Sequence, residues 1–500
     1  MVVLILTTFL IVVALVRHLM YLYRMESYVK HLKSTHPLLP IVGTAYGMIG
    51  KSATDAYKEI LRFAKSNDTP VKTYIGSTLA LTVDKPEDIK IILSSPICFD
   101  KPFVFDFLPY RAGIFTTTLS AVWKPIRKHL NPTFSLNVLQ SFMPIFNKKS
   151  TVLLEKMDTE VGKEEFNVFP YIQWSILDAI CETTMGFDLK TQSHLTADFF
   201  NSMDAFFCLV LKRFIKPWFH ADFIYQWTPM YKIGQNHSAN VRLLTNAIFE
   251  TKKEEYLAEN NNDMAKAFET TEKKPQNAID KLLKLCDDGE FDEDLAKEQI
   301  ETILVAGNDT STATVSFTIL MLAMHPEIQE RLYQELRSVF SEQNEDMSQQ
   351  HLNQMPYLDL VLKETLRLFP AAPYPLRCAS ADITIDSCTI PKDAMILLSI
   401  FSLHRRQDVW GADADQFNPD HFLPEHMSQR HPFAFIPFGA GQRNCIGYRY
   451  AMISMKVMLS ALLRRYKFTT NLKLSDIDLR FEMVLKLAQK HMVQIERRRW

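Results

Sequence analysis

The stretch ETILVAGNDTSTATVSFTILMLAMHP, Glu301 to Pro326, constrains this chain more than any other. It reads as one helix, apolar almost all round and stopped by a proline, and such a helix is expected to cross a protein core. Gly307, Asn308, Asp309, Thr310 and Ser311 interrupt it with poor helix formers and one acid, a placement that destabilises unless it serves something. Thr310 can bond back to the carbonyl of Ala306 and open the helix locally. Taken alone, an Asp-Thr-Ser run reads as a cap or a kink. The 500 residues, 47% of them apolar, are enough to bury the large core that such a helix needs.

The N-terminus has a different composition. Val2 to Val16 carries no charge, and apolar residues resume after Arg17 and His18 as far as Arg24. If the two basic residues snorkel, the segment reaches the roughly 20 residues that span a bilayer. No basic stretch precedes it and no small-residue cleavage site follows, so it reads as a retained anchor over 1–24. Arg17, Arg24, Lys30 and Lys33 then place the rest of the chain on the cytosolic side. Residues 25–43 are basic and proline-rich, with Pro37, Pro40 and Gly43 spaced against helix or central strand, and read as a hinge. Residues 44–500 form a single catalytic body.

Within that body helical periodicity dominates to about residue 330, broken by the aromatic loop KPFVFDFLPYRAGIF and by ENNNDMAKAFETTEKKPQN, a solvated linker. Ala381 to Leu398 alternates apolar and polar residues around a Pro-Lys-Asp turn, the pattern of a β-hairpin. A last apolar helix is expected from Ile446 to Tyr466. The fold class is mainly α with a small β-sheet region (α+β).

The seven cysteines, Cys98, Cys181, Cys208, Cys286, Cys378, Cys388 and Cys445, are scattered and lack any C-x-x-C pair. That excludes a disulfide framework or a zinc cluster as the organising device and fits a reducing compartment. The net charge of -1 gives no general basicity for binding nucleic acid. Cys445 stands apart, in FIPFGAGQRNCIG before the last helix. At a helix start, unpaired N–H groups and the macrodipole favour thiolate. Gly439, Gly441 and Gly447 permit turns and close approach to a flat ligand, and Arg443 directs a guanidinium toward an anionic group nearby. One thiolate without companion ligands suits iron already held by a haem.

Phe438, Gly441, Arg443, Cys445 and Gly447 match F-x-x-G-x-R-x-C-x-G, and in this the chain resembles the cytochrome P450 superfamily. Five fixed positions would match by chance in such a chain with probability on the order of 10^-4. Glu364 and Arg367, one helical turn apart before Pro370, alone read as a solvated surface pair. They resemble the family's E-x-x-R pair, which implies a buried structural network. His421 in NPDHF stands where the family usually has arginine, with fewer donors. Trp123 and Arg127 resemble the family's W-x-x-x-R helix, and Arg377 sits where the family supplies another propionate partner; alone, each reads as packing. With Arg443 they offer three cations to two carboxylates.

The resemblance also makes Gly307 to Ser311 an oxygen-activation motif, in which Asp309 and Thr310 relay protons. It covers the chain from the proline hinge to the helix after Cys445 and is closest to the microsomal branch that includes fatty-acid omega-hydroxylases. Ala306 departs from that branch, where glutamate can esterify a haem methyl group, so covalent attachment is not expected. What the resemblance implies is a cytochrome P450 fold behind an anchor helix and a haem b cofactor with Cys445 as axial ligand. It implies monooxygenation of a lipophilic substrate at the endoplasmic reticulum membrane: a fatty acid, a hormone, or a foreign compound such as an insecticide. Electrons would come from NADPH through a flavoprotein reductase, with cytochrome b5 as a further partner, since no G-x-G-x-x-G follows a strand here. Lys124, Lys128 and Arg449 are candidates for the docking face. Phe103, Phe105, Phe107, Phe115, Val305 and Ala306 are candidates for the substrate pocket, or plain core. Two alternatives stay open: a haem-thiolate isomerase or dehydratase of peroxides, and a non-catalytic haem or lipid carrier.

Overall fold

The computed structural model describes every residue except 40–41, 65–68, 190–193 and 264–275. The central helix runs from Glu293 to Met324. It starts earlier than the apolar stretch because Asp292 caps it, its side chain accepting from the Leu295 N–H at 2.7 Å, and because Glu293 and Asp294 face the positive end of the dipole. From Gln299 to Ala323 every residue is buried except Ala306, Gly307 and Thr310. The helices Phe169–Met185, Pro356–Leu368 and Tyr448–Arg465 pack around it, and one continuous hydrophobic core joins them.

The small sheets sit at the edge of this helical body. β1 (Val71–Ile75) and β2 (Thr78–Val83) form a hairpin. β3 (Phe166–Asn167), β4 (Leu376–Cys378), β5 (Ile383–Thr384), β6 (Thr389–Ile390) and β7 (Met395–Leu398) follow. β8 (Tyr466–Thr469), β9 (Leu479–Glu482), β10 (Val484–Leu487) and β11 (Met492–Arg497) complete the set. One sheet has the order β1-β2-β7-β4, with β2 and β7 parallel; β3, β11 and β8 form another. The hairpin expected over 381–398 turns elsewhere. β5 pairs with β6 across Asp386 and Ser387, while the Pro391-Lys392-Asp393 turn, with Asp393 at φ 69°, sends β7 into a different sheet.

The first helix is longer than the anchor segment, running from Val2 to Val29, and it is the one helix among the described residues long and apolar enough to cross a membrane. Its first two-thirds is exposed, but Leu22, Met25 and Val29 are buried against the core beside β1 and β2. Residues 25–29, expected in the hinge, are therefore docked helix. Glu26 fixes the junction: it pairs with the buried Lys72 and accepts from the Tyr74 hydroxyl at 3.0 Å, and Lys72 also donates to the Val29 carbonyl at 3.1 Å. Pro40 of the hinge and residues 264–275 of the polar linker lie outside the described residues; the linker's first residues, to Asp263, continue the helix Pro229–Asp263.

Removing residues 1–20 should abolish flotation with lipid vesicles and leave the melting temperature unchanged. Removing residues 1–30 should in addition lower the melting temperature, because Leu22, Met25 and Val29 no longer cover the core beside β1 and β2 and Lys72 loses Glu26 and the Val29 carbonyl. Vesicle flotation and thermal unfolding of the two truncations separate these effects.

Candidate functional site

Two features of the central helix make it a site. Ala306, Gly307 and Thr310 form the accessible stripe of its Gln299–Ala323 stretch, while the Thr310 hydroxyl donates to the Ala306 carbonyl at 2.7 Å, opening that face. Gly307 lets the neighbouring helix pack closely, since a Cβ there would sit 3.0 Å from Ile180 Cδ1. One residue before Thr310, the fully buried Asp309 accepts no hydrogen bond on either carboxylate oxygen. Lys486 of β10 brings its ammonium to 3.0 Å from Asp309 Oδ1, off the hydrogen-bonding direction, and donates instead to Asp204 at 2.7 Å. Burial raises the Asp309 pKa against the pull of Lys486, and the carboxylates of Asp309 and Asp204 hold Lys486 charged. Lys486 is thus shared between two carboxylates, Asp309 in the core and the more exposed Asp204.

The loop before the last helix is rigid. Gly439 and Gly441 have φ of 69° and 72°, and a Cβ on Gly441 would sit 2.5 Å from the Leu93 carbonyl oxygen. The Cys445 N–H donates to the Phe438 carbonyl at 2.9 Å. Arg127 clamps the loop from the helix Ser120–Leu130: it donates to the Asn444 carbonyl at 2.7 Å, to Asn444 Oδ1 at 2.9 Å and to Asn131 at 2.7 Å. The last helix begins at Tyr448, two residues later than expected, so Cys445 stands outside its first turn. Crowding by the surrounding loop raises the thiol pKa, while the Gly447 N–H and Arg127 favour the thiolate. Yet the Cys445 side chain is accessible, presented to open space by the closed loop around it.

Three cations gather nearby. Arg443 lies over the rings of Phe99 and Trp123, 4.8 and 5.0 Å from their centroids, and donates to the carbonyls of Thr117 and Thr118 at 2.9 and 3.2 Å, leaving its buried Nε unpaired. Arg377 is buried and donates only to the adjacent Leu376 carbonyl, at 2.8 Å. Lys101, which sequence reasoning missed, lies over Phe105 and Phe115 and donates to the Phe115 carbonyl. Burial, then their mutual repulsion, holds Lys101 well below an ordinary lysine and Arg443 at about 10; burial puts Arg377 at about 10. Such a cluster calls for an anion. Arg127 stands beside the cluster: it shares the Trp123 ring with Arg443, 5.6 Å from the centroid, while its hydrogen bonds go to Asn444 and Asn131.

Glu364 and Arg367 are fully buried rather than a solvated pair. They are joined by two hydrogen bonds of 2.7 Å, and Arg367 also donates to the carbonyls of His404, Ala414 and Gln416 at 2.8, 2.5 and 2.9 Å. His421 Nδ1 stands 3.1 Å from Glu364 and its Nε2 3.2 Å from Asp413, completing the network. Arg430 donates to the His421 carbonyl and lies 4.3 Å over Trp410, adding a guanidinium beside the histidine.

The Cytochrome P450 family profile matches residues 34–495. The chain belongs to the cytochrome P450 family. Among its relatives, cytochrome P450 4c3 of Drosophila melanogaster is 32% identical over 90% of this chain and 86% of that protein. Cytochrome P450 4V2 of Mus musculus is 28% identical over 92% and 90%, and the probable cytochrome P450 313a4 of Drosophila melanogaster 30% over 95% and 96%. The family implies a haem-thiolate iron and monooxygenase chemistry, and the residues fit: an accessible cysteine in a closed loop, a cation cluster with an unpaired buried N–H, and an accessible stripe on an otherwise enclosed helix. Cys445 would hold the iron, and Lys101, Arg377 and Arg443 the two propionates.

The aromatic loop of this P450 is tied to the central helix. Glu298 accepts from the Ala112 N–H at 2.6 Å, Gln299 bonds Ile114 N–H and Ala112 carbonyl at 2.8 and 3.0 Å, and a Cβ on Gly113 would sit 2.0 Å from Thr302 Oγ1. Phe105 and Phe115 surround Lys101, whereas Phe103 and Phe107 pack on His220; of the pocket candidates Val305 lines a small cavity, with Pro109 and Tyr110 of the loop and Glu301 of the helix.

Lys101→Met removes one of three mutually repelling cations. It should raise the melting temperature of the haem-free protein and weaken haem retention by about tenfold, measured by haem transfer to apomyoglobin.

Proposed function

We propose that this P450 is a membrane-anchored monooxygenase that inserts one atom of dioxygen into a lipophilic substrate, using NADPH-derived electrons from a flavoprotein reductase. When bound, the haem supplies the redox chemistry by which the second oxygen atom leaves as water. Cys445 holds the iron through its thiolate, in a loop that Arg127 keeps from moving. Asp309 exchanges a proton at its buried carboxylate, the ion pair with Lys486, itself held by Asp204, keeps that carboxylate in place, and the Thr310 hydroxyl on the accessible stripe hands the proton into the pocket. The single observation that carries the reading is the buried Asp309 with no hydrogen-bond partner on either oxygen, beside that stripe. A carrier has no use for such a group, and an isomerase of peroxides has no need of a proton source.

The reductase, and cytochrome b5 with it, is assigned to the face of Lys124, Lys128 and Arg449, all exposed, two of them on the helix that clamps the Cys445 loop. Trp218, Phe223, Ile224 and Trp227 add exposed apolar surface to the anchor helix, with Phe223 70% and Trp227 85% accessible. They support seating on a membrane, which we assign to the endoplasmic reticulum with the body on the cytosolic side. Residues 1–24 act as the anchor and 44–500 as the catalytic domain.

With NADPH, a reductase and isotope-labelled dioxygen, the full-length protein should place one labelled atom in a lipophilic product. Asp309→Asn should lower that rate about a hundredfold with haem content unchanged. Turnover of a lipid hydroperoxide without NADPH, at a rate indifferent to Asp309→Asn, would contradict the reading.

A further inference from the structure

Asp309 shares its cation. The Lys486 ammonium, on β10, lies 3.0 Å from Asp309 Oδ1 and 2.7 Å from Asp204 Oδ1, and only the contact to Asp204 has hydrogen-bonding geometry. Asp204 belongs to the helix His194–Phe214, so one buried lysine joins three elements far apart in the chain. Their exposures differ: the Asp309 and Lys486 side chains are 1% and 4% accessible, that of Asp204 38%. β10 is fixed beside them, since the Leu485 N–H donates to the Ala371 carbonyl at 3.0 Å. Met203, next to Asp204, and Val305, one helical turn before Asp309, line the same small cavity, so the two helices face each other here.

Two carboxylates thus compete for one ammonium. An ammonium held by Asp204 pairs less fully with Asp309, and the Asp204 charge disfavours a second negative charge nearby. Burial is the largest influence on Asp309 and raises its pKa; Lys486 opposes the rise, and Asp204 adds to it. Two further titratable groups lie within reach of the Asp309 charge. Glu482 of β9 stands 3.7 Å from Arg480, and Tyr110 of the aromatic loop has a hydroxyl that burial keeps neutral.

We propose that Asp204 is a positioning residue of the proton relay: by drawing the Lys486 ammonium to itself, it keeps Asp309 able to take up and release a proton instead of leaving it locked in an ion pair. The relay is thereby tied to the placement of the helix His194–Phe214 against β10. This rests on the monooxygenase reading for the use of the proton. The competition itself is a property of the resting protein and is measured without turnover.

Infrared titration of the full-length holoprotein tests the assignment, with the protonated-carboxyl band of Asp309 identified by its loss in Asp309→Asn. Asp204→Asn should move the midpoint of that band down by about one pH unit, because Lys486 then pairs with Asp309 alone. Lys486→Met should move it up by at least as much, and Asp204→Glu, which keeps the charge, should leave it near the wild-type value. With NADPH and a reductase, Asp204→Asn should lower kcat about tenfold, the loss of protonated Asp309 that one pH unit brings, with KM unchanged and Asp204→Glu restoring the rate. A midpoint indifferent to Asp204→Asn would overturn the proposal, as would an Asp309 that takes no proton down to the pH of unfolding. A purely structural Asp204 would give the first of these results, a lower melting temperature in Asp204→Asn with the midpoint unmoved. The expected midpoint shifts in a protein that never turns over with NADPH would instead fail the monooxygenase reading alone.

Discussion

Arg367 is the interaction on which the rest of the site depends. Its guanidinium is buried in the core, and Glu364 alone balances its charge through two parallel hydrogen bonds. The remaining donors reach the carbonyls of His404, Ala414 and Gln416, stretches of chain with little regular structure of their own. From His404 the link continues: its ring accepts from the Ile436 N–H at 3.1 Å, and burial followed by Arg367 and Arg405 keeps that imidazole neutral, with its pKa lowered to about 3. Ile436 opens the run to Phe438, whose carbonyl accepts the Cys445 N–H. A charge pair on one helix thus sets the position of a sulfur far along the chain. Truncating either partner would leave the other buried and unpaired, at about 3–5 kcal/mol.

The same scarcity of water governs the charged groups near the pocket. Asp309, Glu301 and the three cations are held where their charged forms are costly, and each is short of partners. A fold that only needed stability would have replaced them with apolar side chains or paired them among themselves. They are instead kept apart: cations near the cysteine loop, Asp309 beside the accessible stripe, and Glu301 on the wall of the small cavity. That separation gives a flat acidic cofactor one place and a proton source another.

Much of this was legible in the sequence because it rests on local patterns. The central helix is marked by its apolar period and by Pro326, the cysteine loop by glycines at fixed offsets, and the Thr310 back-bond by a hydroxyl four residues after Ala306. What was not legible depends on partners distant in sequence. Lys486 and Lys101 sit in stretches without any motif and acquire meaning only when β10 meets Asp309 and the aromatic loop meets Arg377 and Arg443. The misplaced hairpin has a simpler cause: alternation continues through both turns, and a period of two does not say which strand is the neighbour. The last helix forms two residues later than its apolar pattern suggests, so Cys445 lies in the loop before it and not in its first turn.

The measurement that tests the central claim most directly is the absorption spectrum of the reduced protein under carbon monoxide, with Cys445→Ser beside the wild type. The account predicts the red-shifted Soret band of a thiolate-ligated haem in the wild type and its loss in the variant. A wild type that takes up no haem, or one whose band is that of a histidine-ligated haem and survives Cys445→Ser, would contradict it.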